Sequence, residues 1–148
     1  MRLAQVITEI KSKAELHAEI QTIVYDEAIM QELENSGSIK YPCLLIDIKS
    51  FNLELSERNS SNVFYIDLIC LDRETQGEEN RVYALNSTHA IIMDVLSLLF
   101  RDGYFSYGIN GQATPITEAA PTHTAGWAFP LAVKGSFQED TCSIPTRV

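Results

Sequence analysis

The sequence predicts a single α+β domain in which one long amphipathic helix packs on a mostly antiparallel sheet, preceded by one or two short N-terminal helices. Apolar residues between 80 and 103 recur at steps of three and four, the spacing of one helical face. Three runs, 43–57, 63–72 and 126–137, have the alternating or continuous apolar pattern of strands. No linker, repeat or low-complexity tract interrupts residues 1–148, so we expect one domain.

The long helix is predicted over Asn80–Gly103. Glu78 and Glu79 precede it, where negative charge stabilises a helix N-terminus, and Gly103 is expected to end it in a left-handed conformation. Its apolar face is broad, as expected of a helix that lies on a sheet. The residues predicted to form that face are Val82, Leu85, His89, Ile91, Ile92, Val95, Leu96, Leu98 and Leu99.

The N-terminal part is predicted to add small elements to this core. Residues 2–13 carry one apolar stripe and predict a short amphipathic helix. Residues 19–25 suit either a helix or a strand, and their β-branched and aromatic residues favour a short strand. Asp26 then stands where it can cap a second helix, which we expect to end at Asn35-Ser36-Gly37.

The first two long strands are predicted to form a hairpin. Tyr41-Pro42 requires extended geometry before residues 43–57. Apolar residues change parity within that run, so we expect a bulge near Lys49-Ser50. The polar residues 57–62 are predicted to form the hairpin loop. The returning run, 63–72, is apolar on both parities apart from one aspartate, which is typical of a central strand.

Residues 104–124 are irregular and rich in Gly, Pro, Thr and aromatic residues. A segment of this length is usually functional, or it contains an edge strand, which we place at Gln112–Glu118. The last strand alternates large residues with the small residues Gly126, Ala128, Pro130 and Ala132. Because proline cannot donate a backbone hydrogen bond, we expect this strand to lie at an edge or to be bulged at Pro130.

The composition argues against several classes of partner. Twenty acidic and eleven basic residues give a formal charge of −9, and no basic cluster is present, so direct nucleic-acid binding is disfavoured. No continuous apolar run approaches the length of a membrane span, and the N-terminus lacks the pattern of a signal peptide. The three cysteines, Cys43, Cys70 and Cys142, are widely spaced, which favours a reducing cytosol.

No motif predicts catalysis, and we expect the protein not to be an enzyme. His17, His89 and His123 lack second ligands at metal-binding spacing, and His89 is interpreted as a core or boundary histidine. No nucleophile elbow and no phosphate-binding glycine loop occurs. We therefore predict no catalytic residues, no metal site and no cofactor.

The irregular segment and the small-residue strand face are the predicted contact surfaces. The aromatic residues of the segment either pack back over the end of the long helix or anchor an oligomeric or partner contact, since interfaces are enriched in Tyr and Phe. The small strand face leaves room for another subunit to approach closely. The predicted interface residues are Tyr104, Phe105, Tyr107, Ile109, Pro115, Ala128, Pro130 and Ala132.

Several features of length and element order occur together along the whole chain and match those of a known protein family. The matching features are Tyr41-Pro42 before the first long strand, Asp72 closing the second, the Asn80–Gly103 helix, and Gly126-Trp127 opening the last strand. With them the chain is similar to the tail-completion or tail-terminator proteins of tailed bacteriophages and to the related neck proteins. That family has no catalytic residues to transfer to this sequence.

The resemblance implies a ring-forming subunit, usually a hexamer and of higher order in some necks. The ring would lie in the virion at the head-proximal end of the tail, after assembly in the host cytoplasm. It would contact neck or portal-adaptor proteins and tail proteins, with DNA passing through it as cargo and no membrane involved. An acidic channel would repel phosphate and let DNA slide. The alternative is a small cytosolic α+β binding module, of sensor or immunity type, without catalytic activity.

Overall fold

The computed structural model describes residues 1–54, 60–74, 78–119 and 123–136. Their fold is α+β, as predicted, with a mostly antiparallel six-stranded sheet and one long helix packed on it. The elements in chain order are α1 (Leu3–Glu15), β1 (Thr22–Val24), α2 (Glu27–Ser36), β2 (Cys43–Glu54), β3 (Ser61–Arg73), α3 (Glu78–Asp102), β4 (Ser106–Ile109), β5 (Thr114–Ala119) and β6 (Thr124–Ser136).

The sheet has the strand order β1-β2-β3-β6-β4, and β5 also pairs with β6. Among these described strands, β1 runs parallel to its neighbour β2, and the other pairs are antiparallel. β3 lies between β2 and β6, which confirms its predicted central position. The hairpin loop predicted at 57–62 lies mostly outside the described residues, and Asn62 belongs to β3.

The main core lies between the sheet and the helices α1 and α3. Alternate side chains of β2, β3 and β6 meet the inner side of α3, because side chains of a strand alternate between the two faces. A smaller cluster on the other sheet face joins β1, β2 and Leu33 of α2. The largest fully buried side chains of the main core are Ile10, Leu44, Ile46, Ile66, Leu68, Ile91, Ile92, Leu99 and Leu131.

Three local predictions agree with the structure. The register of β2 and β3 shifts between Ile48 and Ser50, which is the expected bulge. Asp26 caps α2, since its Oδ1 accepts a hydrogen bond from the amide of Ala28 at 2.9 Å. Gly37 follows α2 with a φ of 68°, where glycine avoids the strain of a side chain.

The end of α3 differs from the prediction. Gly37 and Gly111 are the described glycines with positive φ, so the left-handed stop expected at Gly103 is wrong. A Cβ at Gly103 would lie 2.6 Å from Cε2 of Tyr107, which is too close for two carbon atoms. The same Cβ would overlap the carbonyl oxygen of Leu99, so glycine is required both by the last turn of α3 and by the ring of Tyr107. At its other end α3 begins at Glu78, so the predicted preceding acids belong to its first turn.

The expectation that β6 is an edge strand, or is bulged at Pro130, is also wrong. β6 pairs with β3 without a break, and Pro130 lies opposite Asp67. On its far side β6 pairs with β5 and β4 in succession, and the amide of Asn110 donates to the carbonyl of Pro130 at 2.8 Å between them. The missing N–H of Pro130 therefore faces the gap between two short strands. β5 confirms the edge strand expected at Gln112–Glu118.

α3 has a further property that follows from its composition. By length and composition alone, Asn80–Asp102 is long and apolar enough to cross a bilayer, with a mean hydropathy of 1.4. Only 39% of that apolar window is buried inside the protein. A core helix meets the same criterion, and the inner side of α3 is packed against β3 and β6. Its apolar residues nevertheless continue onto the side that faces away from the sheet.

Candidate interaction surfaces

The structure divides the eight predicted interface residues between the two faces of the sheet. Directly paired residues of antiparallel strands point to the same face. Tyr107, Ile109 and Pro115 pair with Val133, Leu131 and Trp127, whose side chains point towards α3. Ala128, Pro130 and Ala132 alternate with those residues and point to the opposite face. One predicted set therefore forms two separate surfaces.

The first surface, here named the aromatic corner, comprises Tyr104, Phe105 and Tyr107 after the end of α3. Tyr104 is 87% exposed, whereas Phe105 packs against the main core. The two rings meet edge to face, with centroids 5.3 Å apart and planes at 87°. The amide of Tyr104 donates to the carboxylate of Glu9 in α1. A buried neighbour and a backbone contact thus hold an exposed aromatic ring at the surface.

Tyr107 points inward. Its ring is half-buried and packs against the main core. Burial, followed by the influence of the nearby Glu9 carboxylate, raises the pKa of Tyr107 above its usual value. Phe105 and Tyr107 therefore pack back over the helix end, which is one of the two arrangements considered from the sequence, whereas Tyr104 projects into solvent.

Two concave regions flank the Tyr104–Phe105 pair. One has a volume of about 360 Å³ and reaches Met1 and Lys134, and the other has about 480 Å³ and reaches Thr8 and Glu9 of α1. Gln5 lines both regions. The corner thus presents an aromatic projection between two hollows, a shape that can interlock with a matching surface. Ile109 (44% exposed) and Pro115 lie further along the same edge of β6.

The second surface, here named the open face, is built around the small residues Ala128, Pro130 and Ala132. All three are half-buried. Beside them, Asp67 of β3 lies opposite Pro130 on one side and opposite Asp47 of β2 on the other. The face therefore consists of a strip of small apolar side chains bordered by two carboxylates.

Lys49 bridges those carboxylates. Its Nζ lies 2.6 Å from Oδ2 of Asp47 and 3.9 Å from Oδ2 of Asp67. Lys49 stands at the bulge of β2, and a bulge redirects a side chain. The pKa of Asp67 is raised overall. Burial raises it most, the Lys49 ammonium lowers it, and the Asp47 carboxylate raises it. The sequence does not reveal that Lys49 lies beside Asp47 and Asp67, because its position depends on the bulge of β2.

The outward side of α3 is a third exposed apolar surface that sequence reasoning does not identify. Val82 is predicted in the buried stripe, but it is 65% exposed, and Tyr83 beside it is 72% exposed. His89 is also exposed and lies edge-on to Trp127, with ring centroids 5.6 Å apart. A second apolar repeat in the sequence could have revealed it, since Tyr83, Ala90, Met93 and Phe100 are separated by seven, three and seven positions.

Among the described residues, the potential metal ligands are dispersed and the two cysteines are buried. No group of three or more His, Cys, Asp or Glu side chains among them is placed to hold a metal ion. Cys43 and Cys70 are buried, and burial raises the pKa of the Cys70 thiol far above its usual value. A thiol with a raised pKa is a poor nucleophile. Cys142 lies outside the described residues.

No protein-family model matches the chain, and no curated protein matches it.

Proposed function

We propose that this protein is a ring-forming structural subunit of a tailed bacteriophage, of the tail-completion, tail-terminator or neck type, which joins the tail to the head connector and lets DNA pass. The observation that carries the proposal is the pair of unlike surfaces on opposite faces of one sheet. In a cyclic ring each interface is head-to-tail, so every subunit needs two different contact patches.

The aromatic corner of one subunit is proposed to contact the open face of the next. Tyr104 is exposed, and its neighbour Phe105 is anchored in the core. Exposed aromatic side chains on a rigid support are the usual anchors of protein interfaces. The small side chains of Ala128 and Ala132 allow a neighbouring ring to approach the backbone of β6 closely.

Net charge agrees with a channel for DNA. The subunit carries a formal charge of −9, and a ring multiplies that charge around its centre. A negative wall repels the phosphate backbone, so DNA can move through as cargo without being bound. A hexamer is the expected ring, with higher order in a short-tailed phage. Its partners would be neck or portal-adaptor proteins and tail proteins, in the virion.

One observation favours the second candidate, a cytosolic binding module of sensor or immunity type. The hollows beside Tyr104, about 360 and 480 Å³, fall within the size range of ligand pockets. In that function Tyr104 and Phe105 would contact a ligand or a short peptide in place of a neighbouring subunit.

The test is the solution mass across concentration by light scattering, followed by negative-stain imaging. We expect a closed ring with an open centre, formed alone or after tail components are added. Tyr104→Ser should abolish the ring, because it removes the anchor. Leu16→Ser is the control, since it removes another large and exposed side chain (68% exposed) from a different surface, at the end of α1. A compact dimer that persists in the presence of tail components would refute the ring and favour the binding module.

A further inference from the structure

The outward side of α3 carries a regular seam of exposed residues. Successive members are separated by three, four, three, four and three positions, the spacing of the contact residues in coiled coils. This surface, here named the α3 seam, consists of Tyr83, Asn86, Ala90, Met93, Ser97 and Phe100.

The α3 seam points directly away from the core. Ile91, Ile92, Val95 and Leu99 are buried against the sheet, and at 100° per residue the seam lies on the opposite side of the helix. Its large members stay exposed: Tyr83 by 72%, Met93 by 44% and Phe100 by 50%. A helix that is apolar on both sides is normally covered on both sides.

We propose that the α3 seam binds the α3 seam of a second copy of this chain, with the two helices antiparallel. In antiparallel pairing centred between Ile91 and Ile92, the six seam positions meet in three kinds of layer. Tyr83 lies against Phe100, Asn86 against Ser97, and Ala90 against Met93.

These layers are chemically matched. The outer layers pair two aromatic rings, the next pair an amide with a hydroxyl, and the central layers pair a small side chain with a long flexible one. A twofold contact requires a surface that is complementary to itself, because each residue meets its partner twice. The α3 seam has this property because, from either end, its residue types follow the order aromatic, polar, apolar.

The exposed area is sufficient for a modest dimer. Tyr83, Met93 and Phe100 are joined at the margin by Val82, which is 65% exposed. Covering these side chains and the smaller seam residues on two copies removes on the order of 1,000 Å² of surface from water, near the lower limit of specific interfaces. We therefore expect dimers that form and dissociate with concentration.

This contact goes beyond the proposed ring. The ring uses the aromatic corner and the open face in head-to-tail contacts, whereas the α3 seam makes a twofold contact through a third surface. Tyr104→Ser should leave the α3 dimer intact, and Tyr83→Ser should weaken it. Failure of one contact is therefore distinguishable from failure of the other.

The decisive experiment is disulfide trapping between two variants, Asn86→Cys and Ser97→Cys. Both variants also carry Cys142→Ser, so that this third cysteine cannot form the disulfide. Cys43 and Cys70 are kept, because they are fully buried and cannot reach a second molecule. After oxidation by oxidised glutathione, the mixture should contain a disulfide-linked dimer at least fivefold more abundant than either variant alone. Equal or greater self-linking of Ser97→Cys would indicate parallel helices and overturn the proposal, as would the absence of any linked dimer.

A second measurement covers the case in which cysteine variants fold poorly. Met93→Glu places a charge in a central layer and should weaken dimerisation at least tenfold in light scattering. Gln31→Glu adds the same charge on the exposed surface of α2 and should leave the dimer unchanged. A wild-type protein that stays monomeric at high concentration and binds phosphatidylcholine vesicles through this surface would show that lipid covers the α3 seam, which contradicts the proposal.

Discussion

The two faces of the sheet are built from the same strands but differ in what they bury. On the covered face, Phe129, Leu131 and Val133 of β6 meet α3 and are at most 7% exposed. On the open face, the alternate residues Ala128, Pro130 and Ala132 are small and half-buried. The difference teaches that one strand can supply stability with one set of side chains and a contact surface with the other.

Two neighbouring substitutions in β6 should show the largest difference in stability between the two faces of the sheet. Leu131→Ala empties a fully buried site and should lower the free energy of unfolding by about 2–5 kcal/mol. Pro130→Ala, on the open face, should change it by less than about 1 kcal/mol, because the freed N–H faces the gap between β4 and β5. Urea denaturation measures both. Equal losses would mean that the open face is packed as tightly as the core.

Glycines of the open face provide the next test. A Cβ at Gly126 would overlap the carbonyl oxygen of Cys70 in β3, so Gly126→Ala should cost about 2–3 kcal/mol by forcing the central strands apart. Gly108 of β4 has no heavy atom within 4 Å of the corresponding position. Gly108→Ala should therefore be nearly neutral, and thermal melts of the two variants should separate clearly. A neutral Gly126→Ala would show that β3 and β6 can shift at no cost.

The smallest expected effect concerns the charges that border the open face. Lys49→Met leaves Asp47 and Asp67 facing each other and should lower stability at pH 7 by up to about 1 kcal/mol, as measured by urea denaturation. Lys40→Met, at another exposed position, is the control.

The pH dependence of that effect has a definite sign. The pKa of Asp67 is raised in the folded protein, so the folded state binds more protons than the unfolded state in the window between the two pKa values. Stability from this group is present at low pH and is lost as pH rises through the folded pKa. Lys49→Met raises that pKa further, so the difference from wild type should vanish in acid and grow towards neutral pH. A difference that is constant with pH would contradict the electrostatic explanation.

The comparison also shows why the candidate surfaces are only partly predictable. Alternation along 126–137 is enough to place Ala128, Pro130 and Ala132 on one face. It does not show that Asp67 and Lys49 border them, because strand register and the redirection of a bulge residue depend on pairing between distant segments. Composition identifies the aromatic residues after α3, but which ring projects depends on the tight return of the chain over the helix end.

The assignment of Val82 to the buried stripe fails for a related reason. α3 has apolar residues on both sides, so more than one face of the helix fits a helical apolar repeat. Which face is buried is decided by the contacts of α3 with β3 and β6. The edge position expected for Pro130 is wrong for a different reason. Proline lacks a backbone N–H and so cannot donate one hydrogen bond to a neighbouring strand, but the strand that contains it can still lie inside a sheet. Here the side of Pro130 that lacks the N–H faces the gap between β4 and β5, where no strand requires that hydrogen bond.

The sequence by itself determined the elements of this protein. Periodicity, the cap at Asp26 and the parity change at Lys49-Ser50 are local features, encoded by neighbouring residues whose backbone and side-chain preferences act over one or two turns. The tertiary structure alone decided the interior position of β6 and the exposed side of α3. Each of these depends on packing between segments that are distant in the chain, where shape and register select among arrangements that local preferences leave equal.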